Sequence, residues 1–264
     1  MSEVEELVAD GRPTEALALA QQQVRSHPGD AKLRVLLFQL MAVAGQWQRA
    51  ATQLELCGEL DAAALAMVNT YREALKCELV REAVFAGRTT PMVLGEPKAW
   101  VALLVQALQA EARGERQATQ ALRAQALEQA EATAGTLDGQ PFEWVCDADS
   151  RLGPVLEAIV NGRYCWVPFG ALSRVQIEAP EDLRDLVWVP AHLTFPNGGD
   201  SVALIPTRYP GSTQWEDERV WMSRRTEWVA LASDQFAGVG QRVLATDAGD
   251  QALLDVRSIE LNVQ

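Results

Sequence analysis

The stretch Gly11-Arg12-Pro13-Thr14-Glu15-Ala16 is echoed by Gly45-Gln46-Trp47-Gln48-Arg49-Ala50, and the glycines (45 − 11) and alanines (50 − 16) are both 34 residues apart. Each glycine suits a turn between antiparallel helices, where a side chain would clash or a positive φ is needed. Each alanine lets the second helix approach the first. Pro28-Gly29-Asp30 closes one pair and caps the next helix. Leu33, Leu36, Leu37, Leu40 and Met41 then form an i, i+3, i+4 stripe. A unit of this kind cannot bury its apolar face alone and must stack on a neighbour.

Thirty-four residues is the tetratricopeptide period. The chain to about residue 134 is poor in proline and rich in the strong helix formers Ala, Leu, Gln, Glu and Arg. AALAMVNTYREALKCELVREAVFAG reads as one longer helix and Gly87 to Pro97 as a loop. A further pair is expected at Trp100–Ala112 and Gln117–Ala132, around Gly114. AGTLDGQP is a linker by composition. Beyond it lie the short apolar runs YCWVPF, RVQIEA, LVWVPAHLTF, SVALIPT and QRVLAT, bounded by the turn sequences NGGD, YPGS and DAGD. The expected fold class is α+β: a tetratricopeptide-like helical-pair domain over 1–135, then a small, mostly antiparallel β-rich domain over 136–264. One short helix is expected near 153–161, ending at Asn161-Gly162. Six of the eight tryptophans lie in the second half, which predicts a small core built on large aromatic side chains.

The balance of 36 acids against 23 bases gives a net charge of −13, which repels phosphate backbones and argues against nucleic acid as a partner. MSEVEELVADGRP carries acids where a secretory signal carries bases, and no run approaches ~20 apolar residues, so a cytoplasmic protein without a membrane span is expected. Cys57, Cys77, Cys146 and Cys165 are widely spaced and only His27 and His192 could join them. Reduced thiols, no metal and no cofactor are the expectation.

The segment FEWVCDADSRLGP carries the chemistry that has to be weighed. An EF-hand loop fails, because the positions for its acid or amide, its glycine and its glutamate hold Arg151, Leu152 and Ala158. A magnesium-dependent phosphotransferase with Asp147 as nucleophile and Asp149 as acid/base needs a doubly wound parallel sheet and a later lysine, and no lysine follows Asp149. The structural alternative has Asp147 and Asp149 accepting backbone N–H bonds, one of them pairing with Arg151. Asp149 or Ser150 would then cap the short helix.

FEWVCDADSRLGPVLEAIVNGRYCWVPF, PEDLRDLVWVPAHLTF, LIPTRYPGS and GQRVLATDAGDQALLDVRSIEL resemble the signature segments of the ImpE/SciE (TagJ) family of type VI secretion accessory proteins. The likeness extends to LRVLLFQLMAVAGQWQRAATQLE; Cys146 departs from it, where a smaller residue is expected. It implies a non-enzymatic cytoplasmic protein that binds the N-terminal helix of the small sheath subunit TssB and thereby bears on sheath recycling by the ATPase ClpV. It supplies no catalytic residues. In a helical-pair repeat, the first helix of each pair lines the concave face that receives such a helix. In the second unit those positions are Lys32, Val35, Gln39, Ala42 and Val43. The tryptophan-rich second half is the other candidate surface.

Overall fold

The computed structural model describes residues 2–263. Five helices open the chain: α1 (Glu3–Ala9), α2 (Pro13–Ser26), α3 (Ala31–Val43), α4 (Trp47–Leu60) and α5 (Leu65–Phe85). Gly11 and Gly45 turn between successive helices at φ +75° and +68°, and Ala16 and Ala50 are fully buried at the pair contacts. The repeat is therefore a repeat of conformation as well as of sequence. The Asp30 side chain accepts the N–H groups of Lys32 and Leu33, which starts α3. After a connection that contains β1 (Met92–Val93), the hairpin of α6 (Ala99–Ala112) and α7 (Arg116–Gln129) completes the helical part.

Strands begin at β2 (Gly135–Leu137), followed by β3 (Gln140–Phe142), β4 (Val145–Asp147), β5 (Val155–Val160), β6 (Arg163–Pro168), β7 (Arg174–Ile177), β8 (Trp188–Thr194) and β9 (Asp200–Pro206). A four-residue helix, α8 (Glu218–Trp221), precedes β10 (Thr226–Ala232), β11 (Gln235–Gly240), β12 (Val243–Thr246), β13 (Gly249–Ala252) and β14 (Ser258–Leu261). Nine strands form one sheet in the order β1-β6-β5-β9-β8-β7-β14-β2-β3. Every pairing in it is antiparallel except that of β1 with β6. The expected loop from Gly87 to Pro97 thus supplies the sheet's edge strand. β10 and β11 form a separate hairpin, and β13, β12 and β4 a three-stranded sheet.

The expected helix near 153–161 is a strand. Asn161 (φ +49°) and Gly162 (φ +71°) form the tight turn of the β5–β6 hairpin, in which Ile159 faces Tyr164 and Val160 faces Arg163. All six residues of β5 are buried, because the sheet is covered on both faces. A strand in that position loses the polar–apolar alternation that would distinguish it from a helix. Neither Asp149 nor Ser150 caps a helix.

Side-chain alternation divides the sheet between two cores. Val155 and Ile159, with Tyr164, Trp166, Trp188 and Leu204 from neighbouring strands, join the helices' apolar residues in one cluster. Leu156, Ala158 and Val160 point the other way and cluster with Val167, Val189 and Ile259. That second cluster draws on strands from both ends of the sheet order, so the sheet curls on itself. The aromatic expectation is corrected here. The two fully buried tryptophans, Trp166 and Trp188, belong to the core shared with the helices. Trp188 lies 5.8 Å from both Trp47 and Tyr71, and Trp166 lies 6.2 Å from Phe85, ring centre to ring centre. The curled core beneath contains no tryptophan.

The shared core has a direct consequence for dissection. A fragment of residues 1–135 loses Trp166, Trp188 and Leu204 from the cluster that buries Phe38, Trp47 and Tyr71. Without them, removal of several large side chains at ~3–5 kcal/mol each exceeds ordinary domain stability. The fragment should unfold non-cooperatively in urea while the full chain shows one sharp transition; a cooperative fragment of native-like helicity would overturn the shared-core reading.

Candidate functional site

Asp147, at the end of β4, is 1% exposed and Asp149 is completely buried. Oδ1 of Asp147 accepts the Asp149 N–H at 2.8 Å and the Tyr209 hydroxyl at 3.0 Å, while Oδ2 accepts Nε and an Nη of Arg242 at 2.8 and 2.7 Å. Asp149 takes the Arg151 backbone N–H, the Arg151 guanidinium and the Gly238 N–H. Ser150 bonds β11 in both directions, its N–H to Phe236 O and its Oγ from Phe236 N–H. The four residues of the acidic motif therefore tie β4 to the β10–β11 hairpin and to Arg242.

From Arg242 the network continues into the helices. Its guanidinium lies 3.4 Å from Glu157 on β5, which receives a two-pronged pair from Arg81 of α5 at 2.7 and 2.9 Å. Tyr164 donates its hydroxyl to Glu157, and the Trp166 indole donates to Tyr164 at 2.8 Å. Arg81 also approaches Glu78, which accepts the Trp188 indole N–H at 2.8 Å. Arg151 returns to α5 by placing its guanidinium 5.1 Å from the Phe85 ring centre. Arg208, buried with carbonyls for partners, bonds the last turn of α3 at Ala42 O and Val43 O.

The electrostatics follow from burial and pairing. Burial pushes the Asp147 carboxyl up to about 6, aided by Asp149 and opposed by Arg242. Burial acts in the same sense on Glu157, but Arg81 and Arg242 outweigh it and hold that carboxyl at about 2. With no acid in contact, burial lowers the Arg208 guanidinium to about 10. A cleft of about 420 Å³ reaches Glu78, Arg81 and Arg208 but neither aspartate. A nucleophilic aspartate must meet a phosphoester in line, yet each oxygen of Asp147 is enclosed and already accepts two hydrogen bonds. This geometry works as a fastener and leaves no approach for phosphotransfer. Among the described residues no group of three or more His, Cys, Asp or Glu side chains is arranged to hold a metal ion.

The five residues expected to line a docking groove are split by the fold. Gln39, Ala42 and Val43 are buried, Val35 is half-buried against the shared core, and only Lys32 is exposed. The final turn of α3 faces Leu183–Leu186 and the Arg208 loop, so the chain's own second half fills the concave side. A smaller cleft, of about 190 Å³, lies elsewhere, between α2, α3 and α4. Val24, Leu37 and Met41 form its floor and Arg25, Arg34 and Arg49 its rim. Arg34 is steadied by Pro28 O and Gln53. None of the three arginines is ion-paired among the described residues. On a chain of net charge −13, this is a local basic surface over buried apolar side chains. The sequence signal for it was arginines on three successive helices, visible only once the helices are paired.

The chain matches four known families or proteins. The model of the ImpE protein family matches residues 139–260, and a tetratricopeptide repeat model matches residues 7–73. The chain is 53% identical over 256 residues to the type VI secretion system accessory component TagJ of Pseudomonas aeruginosa, covering 97% of this chain and 90% of that one. A crystal structure of protein VPA1032 from Vibrio parahaemolyticus superposes with a TM-score of 0.91 at 21% identity, over 100% of this chain and 98% of that chain, which establishes the shared fold.

The network makes two measurable demands. Arg242→Met leaves the Asp147 charge buried without its partner and should cost about 3–5 kcal/mol in urea unfolding. Arg219→Met, which breaks only a surface pair with Asp217, should leave the midpoint nearly unchanged. Similar small losses for both would remove the fastener role. Acidification acts on the two carboxyls with opposite sign. Asp147, about 6 when folded against an ordinary 3.8, binds its proton more tightly in the folded state, so falling pH through that interval adds stability. Glu157, about 2 against 4.5, contributes fully above 4.5 and loses its contribution as pH falls toward 2. Thermal midpoints should hold or rise from neutral pH to about 4.5 and fall below it; a steady loss beginning near neutrality would contradict these assignments.

Proposed function

Since the chain belongs to the ImpE family, in which TagJ is a type VI secretion accessory component, we propose that it acts as a non-enzymatic cytoplasmic adaptor for the contractile sheath. Its partner is the N-terminal helix of the small sheath subunit TssB, and through that grip it bears on sheath recycling by ClpV. The observation that carries this reading is the cleft between α2, α3 and α4. Its floor of Val24, Leu37 and Met41 is buried in the core and offers one face of an amphipathic helix only a small apolar contact, so the reading leans on the charged rim. The rim of Arg25, Arg34 and Arg49 suits acidic residues flanking that face, and it steers an acidic segment toward an otherwise repulsive molecule.

This docking site differs from the concave face expected from repeat geometry. The difference is physical: a partner on that face would have to displace Leu183–Leu186 and the Arg208 bonds to α3. No membrane is required for the role, and among the described residues no helix is long and apolar enough to cross one.

The experiment is a titration of the full-length protein with a peptide of the TssB N-terminal helix, without metal or nucleotide. Binding should weaken as salt rises, because the rim charges are exposed. Arg25→Glu combined with Arg49→Glu should weaken it roughly tenfold or more with no change in melting temperature. Absence of binding at high peptide concentration defeats the partner assignment. Binding that ignores the charge reversal defeats the cleft.

A further inference from the structure

Four arginines are buried among the described residues. Arg81, Arg123 and Arg242 each hold a carboxylate, and Arg208 holds none. Nη1 of Arg208 donates to Val43 O at 2.6 Å and to Trp221 O, and Nη2 donates to Ala42 O at 3.1 Å. A guanidinium has five N–H groups, and these carbonyls engage three of them. The two that remain, on Nε and Nη2, lie side by side on one edge of the planar group. That edge is the fork that grips a carboxylate or phosphate with two parallel bonds. Arg151 uses the same two atoms to hold Asp149. Nε of Arg208 has no partner among the described residues, yet it is not sealed off as the unpartnered Nε atoms of Arg123 and Arg184 are. The free edge is therefore reached from the cleft of about 420 Å³ that Arg208 lines.

That cleft runs between α5 and the loop from Tyr209 to Gln214. Arg81 stands in its wall. Arg88, exposed just beyond α5, also lines it and pairs with no acid among the described residues. Two carboxylates face the same space, and both are turned to indoles. Glu78 accepts the Trp188 N–H at 2.8 Å and Glu82 accepts the Trp47 N–H at 2.7 Å. The other oxygen of Glu78 lies 3.5 Å from Arg81, and neither acid is paired with Arg208 or Arg88. A buried charge is normally met by a counter-charge, and carbonyl dipoles supply only part of one. The volume falls in the range of small-molecule sites, and Trp47, Phe85 and Val187 give the cleft an apolar side.

We propose that this cleft binds a small molecule through an oxyanion group, a phosphate or a carboxylate, gripped by Nε and Nη2 of Arg208 and flanked by Arg88. The bound group supplies the counter-charge that the chain itself withholds from Arg208, while the apolar side receives the body of the ligand. The site is separate from the arginine-rimmed cleft of α2–α4 and does not rest on the partner assigned there.

Arg208 also holds the end of α3, so the test leaves it in place and reads it directly. Inorganic phosphate and acetate are titrated separately into the full-length protein at constant ionic strength, with chloride as the balancing anion, while arginine Nε–H resonances are followed by NMR. The Arg208 signal should shift to saturation, and the melting temperature should rise as the site fills. Saturation by either anion supports the site, and the tighter of the two assigns the group as phosphate or carboxylate. Arg88→Gln should weaken binding about threefold or more, whereas Arg49→Gln, on the other cleft, should leave it unchanged. No saturable shift at Arg208 up to about 100 mM, a hundredfold above a millimolar dissociation constant, overturns the proposal. Binding that Arg88→Gln leaves unchanged, or that Arg49→Gln weakens as much, marks an adventitious ion only and overturns it equally.

Discussion

A closed circuit of buried charge organises this protein. It leaves α5 at Arg81, crosses to Glu157 in the middle of the sheet, passes through Arg242 to Asp147 and Asp149, and returns to α5 where Arg151 lies over Phe85. Each ion in it is expensive to take out of water and is tolerated only because its partners are in place. The helices and the sheet are therefore not free to shift against one another: a small displacement would leave several charges unpaired at once. Trp47, Tyr71, Phe85, Trp166 and Trp188 pack against one another beside the circuit, between α5 and the sheet.

That constraint explains why the molecule does not use its repeat in the usual way. The concave face of a helical-pair array is normally the open one. Here the second half of the chain occupies it, with Arg208 bonded to the end of α3 and Trp188 packed against Trp47 and Tyr71. The docking cleft proposed for a partner, rimmed by Arg25, Arg34 and Arg49, lies away from that face, between α2, α3 and α4.

How much of this was legible depended on the range of the signal. Gly11, Gly45, Ala16 and Ala50 report a local geometry that repeats, so the helical pairs could be read from the chain. The β5 segment could not be read by periodicity, because burial on both faces of VLEAIV erases alternation. The Asn161-Gly162 turn between apolar runs is the better guide, since it serves a hairpin as readily as a helix end. At the acidic motif, the pairing of Asp149 with Arg151 is separated by two residues and was visible. The partners of Asp147 stand 62 and 95 residues away, at Tyr209 and Arg242, and no local pattern announces them. Glu157 did carry a signal, since a lone acid inside an apolar strand implies a buried cation nearby. The family resemblance supplied the biological setting that spacing alone could not.

The central claim is that the charge circuit and the shared aromatic core make the helices and the sheet one cooperative unit. Native-state hydrogen exchange tests it most directly, because it reads opening free energy element by element. The slowest amides of α3 and α5 should exchange with the same opening free energy as those of β5 and β8, and Arg242→Met should lower all of them together. Helices that open at clearly lower free energy than the sheet, or a substitution whose effect stays within the sheet, would contradict the account.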